Sequence, residues 1–501
     1  MNTIQSLTGS ALPVAISKKP GYHLQAPGLH GQVFEVEPAG ATTRATAGEK
    51  EQELQQGIER AEMHQTAIFE IAVQRDDLTG KDQAATRAAG AVHTTRGGES
   101  AMVLTTPRLT ENMQSVVLYT DDAGVSRWVF TGGTDAAGNF TFYLPRSGAP
   151  APPEPEEATR GPISFAARRV VRVLSFLSDD IVGLGAQLIA QAWENKHRPY
   201  GFYTATPGAV DSSVSWSELQ GKRALLLIHG TTGIARSTFH GLVNDATNFA
   251  ALRELYGNRI IAFNHPSLHH NPAENIRRFF KDLPANAQLN LDVITHSRGG
   301  LVGRELMERT RAFDTAGHTL KFGKAIFVGT PHRGTILADG KHWMDFIDRM
   351  TNLLNAAPDN TFVLAIEGIL SIVKIIASGA LSGLPGLEAM LPSGDYLKRL
   401  NDSHDHGIRY HAITARYRPH DENLLRRFVK KAVKGHLIDK IFGEDNDGVV
   451  PTEGCFDAGS GAHGFPIPKD QRAIFQLEDN VHHTSYFQNS VVNRKLVEWL
   501  R

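Results

Sequence analysis

The stretch Leu291-Asp292-Val293-Ile294-Thr295-His296-Ser297-Arg298-Gly299-Gly300 decides how the rest of the chain is read. Residues 291–295 read as a short buried strand, and residues 301–309 continue in a helical pattern. A strand and a helix separated by one serine and two glycines form a nucleophile-elbow arrangement. So sharp a turn crowds the serine backbone and needs small residues two places to either side. The helix N-terminus that follows favours developing negative charge. Gly299 meets the second of these requirements, whereas Thr295 stands where glycine is usual, so the turn is a variant elbow. Taken alone, the motif also fits an ordinary Ser/Gly turn closing a βα unit.

Around it, from about residue 223 onward, short apolar runs at 224–228, 260–263, 325–328 and 410–414 alternate with helical patterns. Uniformly apolar strands separated by helices predict a mostly parallel sheet covered on both faces. Reactive residues are then expected on loops at the C-terminal strand ends. Chemistry does appear there. His229-Gly230-Thr231-Thr232-Gly233 follows the run ending at Ile228, and Gly329-Thr330-Pro331-His332-Arg333-Gly334 follows Val328. Asn446-Asp447-Gly448-Val449-Val450-Pro451 comes later, and His482-His483-Thr484-Ser485-Tyr486-Phe487 precedes a terminal helix over 490–500. Backbone amides of Thr231 and Arg298 are the candidate oxyanion donors. The order Ser297, Asp447, His483 is the serine, acid, histidine order of the α/β-hydrolase fold. In that chemistry the serine attacks, the histidine removes its proton, and a buried carboxylate orients the imidazole.

The segments ITHSRGG, VGTPHRGT, NDGVVP and HHTSYF resemble those of bacterial lipase-like α/β-hydrolases, including relatives of the GPI-inositol-deacylase group. Asn264-His265-Pro266-Ser267-Leu268 resembles a further element of that family. The resemblance covers roughly residues 200–501 and leaves the N-terminal 145 outside it. It implies Ser297 as nucleophile, Asp447 as the acid and one histidine of the 482–483 pair as the base. Asp445 also precedes the Gly448 turn, but the family's Asn-Asp-Gly-Val pattern falls on Asp447. His483 fits the family's His-x-x-Tyr-Phe form; His482 stays open as the alternative.

Six prolines among residues 145–162, with Glu154, Glu156 and Glu157 between them, read as a semi-rigid linker over 145–163. It separates an accessory α+β domain, 1–144, from the hydrolase part, 164–501. In the former, residues 50–64 suit a helix and 66–73 a strand. Asp/Gly turns at 121–124 and 135–138 between β-rich runs suggest a small antiparallel meander. After the linker, Val170, Val173, Leu174, Leu177, Ile181, Leu184 and Leu188 recur at helical spacing and predict a core-packing helix. Between the runs ending at 328 and beginning at 410, an insertion of about residues 336–405 exceeds what a βα connection needs. Residues 362–390 within it are unusually apolar, but Glu367 and Lys374 interrupt any membrane span. A buried cap, a mobile lid over an acyl pocket and a membrane-docking hairpin compete. A helical cap or lid is preferred, with contact to a membrane surface left open.

Fifty-two basic against fifty-three acidic residues give a net charge of −1, which leaves no electrostatic case for nucleic acid as the main partner. The one cysteine, Cys455, excludes an internal disulfide framework and a multi-cysteine metal site. His265, His269, His270, His332 and His342 lack a diagnostic i,i+4 pair with an acid between, so no metal is expected. No phosphate-binding glycine motif occurs, and no cofactor is expected. Residues 1–19 lack a basic start followed by an apolar run, so the cytoplasm is the expected location, with signal-less export left open. The expectation is a serine hydrolase cleaving carboxylic esters, lipid or phospholipid acyl esters foremost, through an acyl-enzyme on Ser297. Its rival is an interaction module on a hydrolase scaffold, motivated by Thr295. No protein partner of residues 1–144 can be named.

Overall fold

The computed structural model describes residues 4–36, 48–73, 93–95, 100–110, 112–121, 124–146, 167–177, 185–356, 362–379, 382–402, 407–418, 444–459 and 461–501. The chain divides into two compact units, the first chiefly Met1–Val182 and the second chiefly Gly183–Arg501.

Two antiparallel sheets build the first unit. One has the order Ile4–Thr8, His30–Val36, Met63–Val73, Ala167–Leu177, Met113–Thr120, Ser126–Phe130. The other runs Phe140–Pro145, Ser100–Thr106, His23–Gln25, Val14–Ala15, with His93–Thr94 added to Ser100–Thr106. Phe69, Ile71, Leu104, Val117, Phe142 and Val171 share its core. The helix expected after residue 164 is corrected here: Ala167–Leu177 is a strand, paired antiparallel with both Met63–Val73 and Met113–Thr120. β-Branched Val170, Val171 and Val173 suit a pleated surface, and the even spacing of buried Arg169, Val171 and Val173 is the strand period. The strand therefore belongs to the first unit, and the boundary expected at 164 moves to about residue 182. Of the expected linker, residues 147–163 lie outside the described residues.

The second unit is an eight-stranded sheet. Its strands are β1 Gly201–Thr206, β2 Ala209–Ser212, β3 Arg223–Ile228, β4 Ile260–Asn264, β5 Gln288–His296, β6 Thr319–Val328, β7 Arg409–Ala415 and β8 Arg472–Phe475. Their order is β2-β1-β4-β3-β5-β6-β7-β8. β3 to β8 run parallel, while β1 and β2 form an antiparallel edge. Its main helices are α1 Ala186–His197, α2 Ala246–Tyr256, α3 Pro272–Asp282, α4 Gly299–Glu308, α5 Trp343–Ala356, α6 Phe362–Ala377 and α7 Ser490–Leu500.

Alternate residues of β3 point to opposite faces. Leu225 and Leu227 pack with Phe249 and Leu252 of α2 and with Val492 and Leu496 of α7. Leu226 and Ile228 pack with Ile276 and Phe279 of α3 and with Val302 and Leu306 of α4. Strand order reverses at β3, whose neighbours are β4 and β5, so the loops leaving β3 and β5 part there and open a crevice. Register levels the two ends, since Ile228 pairs with Thr295 and His296 with Val328. The insertion after β6 holds α5, α6 and short helices at Pro385–Glu388 and Asp395–Asn401. Ile366, Ile369, Leu370, Ile372 and Val373 of α6 are fully buried. Among the described residues, no helix is long and apolar enough to cross a membrane.

Midway along β5 the buried Asp292 accepts hydrogen bonds from the Tyr256 hydroxyl (2.7 Å), Arg223 Nε (2.7 Å) and the Lys324 amide (2.6 Å). Asp292→Ala strands these donors, and we expect a loss of about 2–4 kcal/mol in denaturant unfolding; a change under about 0.5 kcal/mol would show the cluster to be idle.

Candidate active site

Ser297 follows β5 with φ +54°, a left-handed conformation that a non-glycine residue holds only under constraint. Its amide donates to the Val328 carbonyl (2.8 Å), which ties the turn to β6. The glycines around it are steric necessities. A Cβ on Gly230 would sit 2.7 Å from Ser297 Cβ, and one on Gly299 would sit 2.4 Å from the His229 carbonyl oxygen. The departure at Thr295 has a local answer. Its methyl would come within 2.9 Å of a Cβ at position 303, and that residue is glycine. One turn into α4, the chain gives up the side chain that the elbow failed to omit.

The structure brings Ser297, His483 and Asp447 together. Ser297 Oγ–H donates to His483 Nε2 (3.0 Å), and His483 Nδ1–H donates to Asp447 Oδ2 (2.8 Å). All three are at least 95% buried. Asp447 Oδ1 accepts from the amides of Val449 (3.1 Å) and Val450 (2.8 Å), and Oδ2 also accepts from the Tyr486 hydroxyl (2.8 Å). Burial pushes the Asp447 carboxyl up, but the facing His483 and these donors outweigh it and hold the group below the usual carboxylate range. Gly329 makes room for the pair, because a Cβ there would lie 2.9 Å from the Tyr486 ring and 3.1 Å from Asp447 Oδ2.

His482 turns away from the serine. Its ring meets Thr484 Oγ1 at 3.1 Å and packs against Tyr417, and burial takes it down to about 4. Asp445 instead pairs with Arg416 (3.1 Å), half exposed. Thr231 lines the same pocket as Ser297, and Arg298 heads the helix that follows it. Among the described residues, neither backbone amide is taken by another protein group. Thr335 and His296 also line the pocket, and most of the remaining wall is apolar: Leu337, Phe346, Met350, Leu387 and Met390 come from the insertion, and Val449 and Val450 from the Asp447 loop.

The five histidines weighed as metal ligands do not all meet, although the His269 and His270 rings lie 4.1 Å apart. His265 stacks on His229 with ring centroids 4.2 Å apart, His269 pairs with Glu194 (2.6 Å) and His270 with the Tyr200 hydroxyl (2.7 Å). His332 packs between Phe327 and Phe465, and His342 faces Asp345. Among the described residues no group of three or more His, Cys, Asp or Glu side chains is placed to hold a metal ion.

Several supporting residues escaped the sequence reading. Tyr486 was visible inside the histidine motif but had no assigned partner. His296 donates from Nε2 to the His483 carbonyl (2.9 Å), with burial and the neighbouring His483 pushing it down to about 3, so it is neutral there. The Arg298 side chain, fully buried, bonds the carbonyls of Gly386 (2.9 Å) and His270 (2.5 Å) and Asn275 Oδ1 (3.0 Å). It thereby fastens the insertion to the loop after β4.

A depressed carboxyl adds stability that is present above its unfolded value of about 3.9 and is lost as pH falls through the lower folded value. Without the Tyr486 hydroxyl the folded value of Asp447 rises. Tyr486→Phe should therefore be less stable than the parent near neutral pH and lose less further stability than the parent as acid is added. Urea midpoints across about pH 3–6 check this, and curves of identical shape would contradict it.

Over part of its length the chain is similar in structure to bacterial lipases and esterases. Lipase 1 from Pelosinus fermentans aligns at 15% identity and a TM-score of 0.35, covering 56% of this chain and 98% of that one. EstA from Clostridium botulinum aligns at 12% and 0.36, covering 56% and 88%. The lipase of Staphylococcus hyicus aligns at 13% and 0.32, covering 55% and 90%. No curated protein matches the sequence. A family profile matches residues 195–501, and the chain accordingly belongs to the family described as Domain of unknown function (DUF7379).

Proposed function

We propose that this protein is a serine hydrolase that cleaves carboxylic esters of apolar acyl groups, with lipid or phospholipid acyl chains as its substrate class. The observation that carries the reading is the continuous hydrogen-bond chain from Ser297 Oγ through His483 to Asp447, opening onto an apolar pocket. In the reaction, Ser297 Oγ attacks the ester carbonyl while His483 Nε2 takes its proton. Asp447 steadies the imidazolium that forms. The Thr231 and Arg298 amides, free to donate, receive the oxyanion. Collapse expels the alcohol, protonated by His483, and leaves an acyl group on Ser297. Water activated by the same histidine then releases the acid.

The insertion acts as a lid over this centre. Its side chains form most of the apolar wall, and the partly open cavity beside Ser297 has a volume of about 30 Å³, enough for a water or two. An acyl chain enters only when the lid moves outward, and an apolar surface such as a lipid layer favours the opened state. We expect purified protein to release fatty acid from liposomes faster, per unit substrate, than it hydrolyses short soluble esters. Ser297→Ala should lower that rate by at least ~10⁴-fold, and Asp447→Asn by ~10³–10⁴-fold. Turnover confined to short soluble esters would remove the lipid part of the proposal, and hydrolysis undiminished in Ser297→Ala would remove all of it.

A further inference from the structure

The turn that carries Thr231 is itself held under constraint. Thr232, the next residue, is buried and has φ +61°, a conformation an L side chain adopts only when its surroundings impose it. Two contacts do so. On one side the Thr232 amide donates to Ser267 Oγ (3.1 Å). On the other, α6 passes so close that a Cβ on Gly368 would lie 2.2 Å from the Thr232 carbonyl oxygen.

Ser267 is in turn fixed by Glu194, on α1. The Ser267 hydroxyl donates to Glu194 Oε1 (3.3 Å), and the amide of Ser267 donates to the same oxygen (2.6 Å). Leu268 and His269 add their amides (3.0 and 2.9 Å), and His269 Nδ1 completes the set (2.6 Å). Glu194 is wholly buried. Burial alone would raise its carboxyl, but His269 and the amide donors keep it ionised. An ionised acceptor of this kind can receive every donor the loop offers, which a neutral amide cannot.

We infer that Glu194 and Ser267 are positioning residues: they hold Thr232 in its strained conformation and thereby aim the Thr231 amide at the space beside Ser297. Neither touches the substrate or the reacting atoms. The inference rests on the ester-hydrolase reading for its catalytic consequence, though not for the conformational one.

The test uses the full chain with Ser267→Ala, with Glu194→Gln as a second variant. Loss of aim weakens one oxyanion donor, so kcat should fall ~10- to 100-fold with KM within about twofold. Adding Thr232→Gly to Ser267→Ala should recover much of the loss, because glycine takes a positive φ without a clamp. Hydrogen exchange of the peptide covering residues 229–238 should quicken in Ser267→Ala while the peptides of β5 and α7 stay as in the parent. Unchanged kcat, no recovery with glycine, or exchange that rises evenly over the whole sheet would overturn the inference. A parent protein that hydrolyses no ester sinks the catalytic reading instead, and the exchange comparison then decides the positioning by itself.

Discussion

The bond between Ser297 Oγ and His483 Nε2, 3.0 Å long, joins positions 186 residues apart, and most of the second unit can be read as the means of making it. A hydroxyl and an imidazole meet at that distance only if the ends of β5 and β8 reach the same rim of the sheet. Parallel register from β3 to β8 ensures this, and the glycines at 230, 299 and 329 clear the space the reacting groups need. The cost is concentrated there too. Ser297 and Thr232 both hold positive φ, and Asp447 and Glu194 are buried carboxylates that water cannot reach. Each is offset locally, the backbone by packing and the charges by amide and hydroxyl donors.

Thr295 shows how a departure from a motif can be absorbed without loss of the geometry. The elbow needs small residues where strand, turn and helix converge, but it does not matter which partner yields the space. Gly303 yields it in α4, eight residues further along the chain. Thr295, the residue that motivates a non-catalytic scaffold, is thus sterically accommodated.

Much of the second unit was legible in the sequence because its strands are buried on both faces and so appear as uninterrupted apolar runs. β3 to β7 were read this way. β1, β2 and β8 were not, being half-exposed edge elements with mixed composition. Residues 167–177 were misread for a related reason: Arg169 faces inward and Val170 is only partly covered, which blurs a period of two into an approximate helical one. The grouping of Ser297, Asp447 and His483 could be anticipated, since each lies in a compact motif after a strand. Glu194 and Ser267 could not. Their meaning lies in contacts between α1 and the loop after β4, which no local pattern encodes.

The central claim is that Ser297 is the hydroxyl made nucleophilic by this arrangement. Treating the protein with a fluorophosphonate and mapping the adduct by peptide mass spectrometry tests it most directly. The account predicts a single adduct on Ser297 that forms in the parent and is absent from His483→Ala. No adduct, one on another residue, or one that forms as fast without His483 would contradict it.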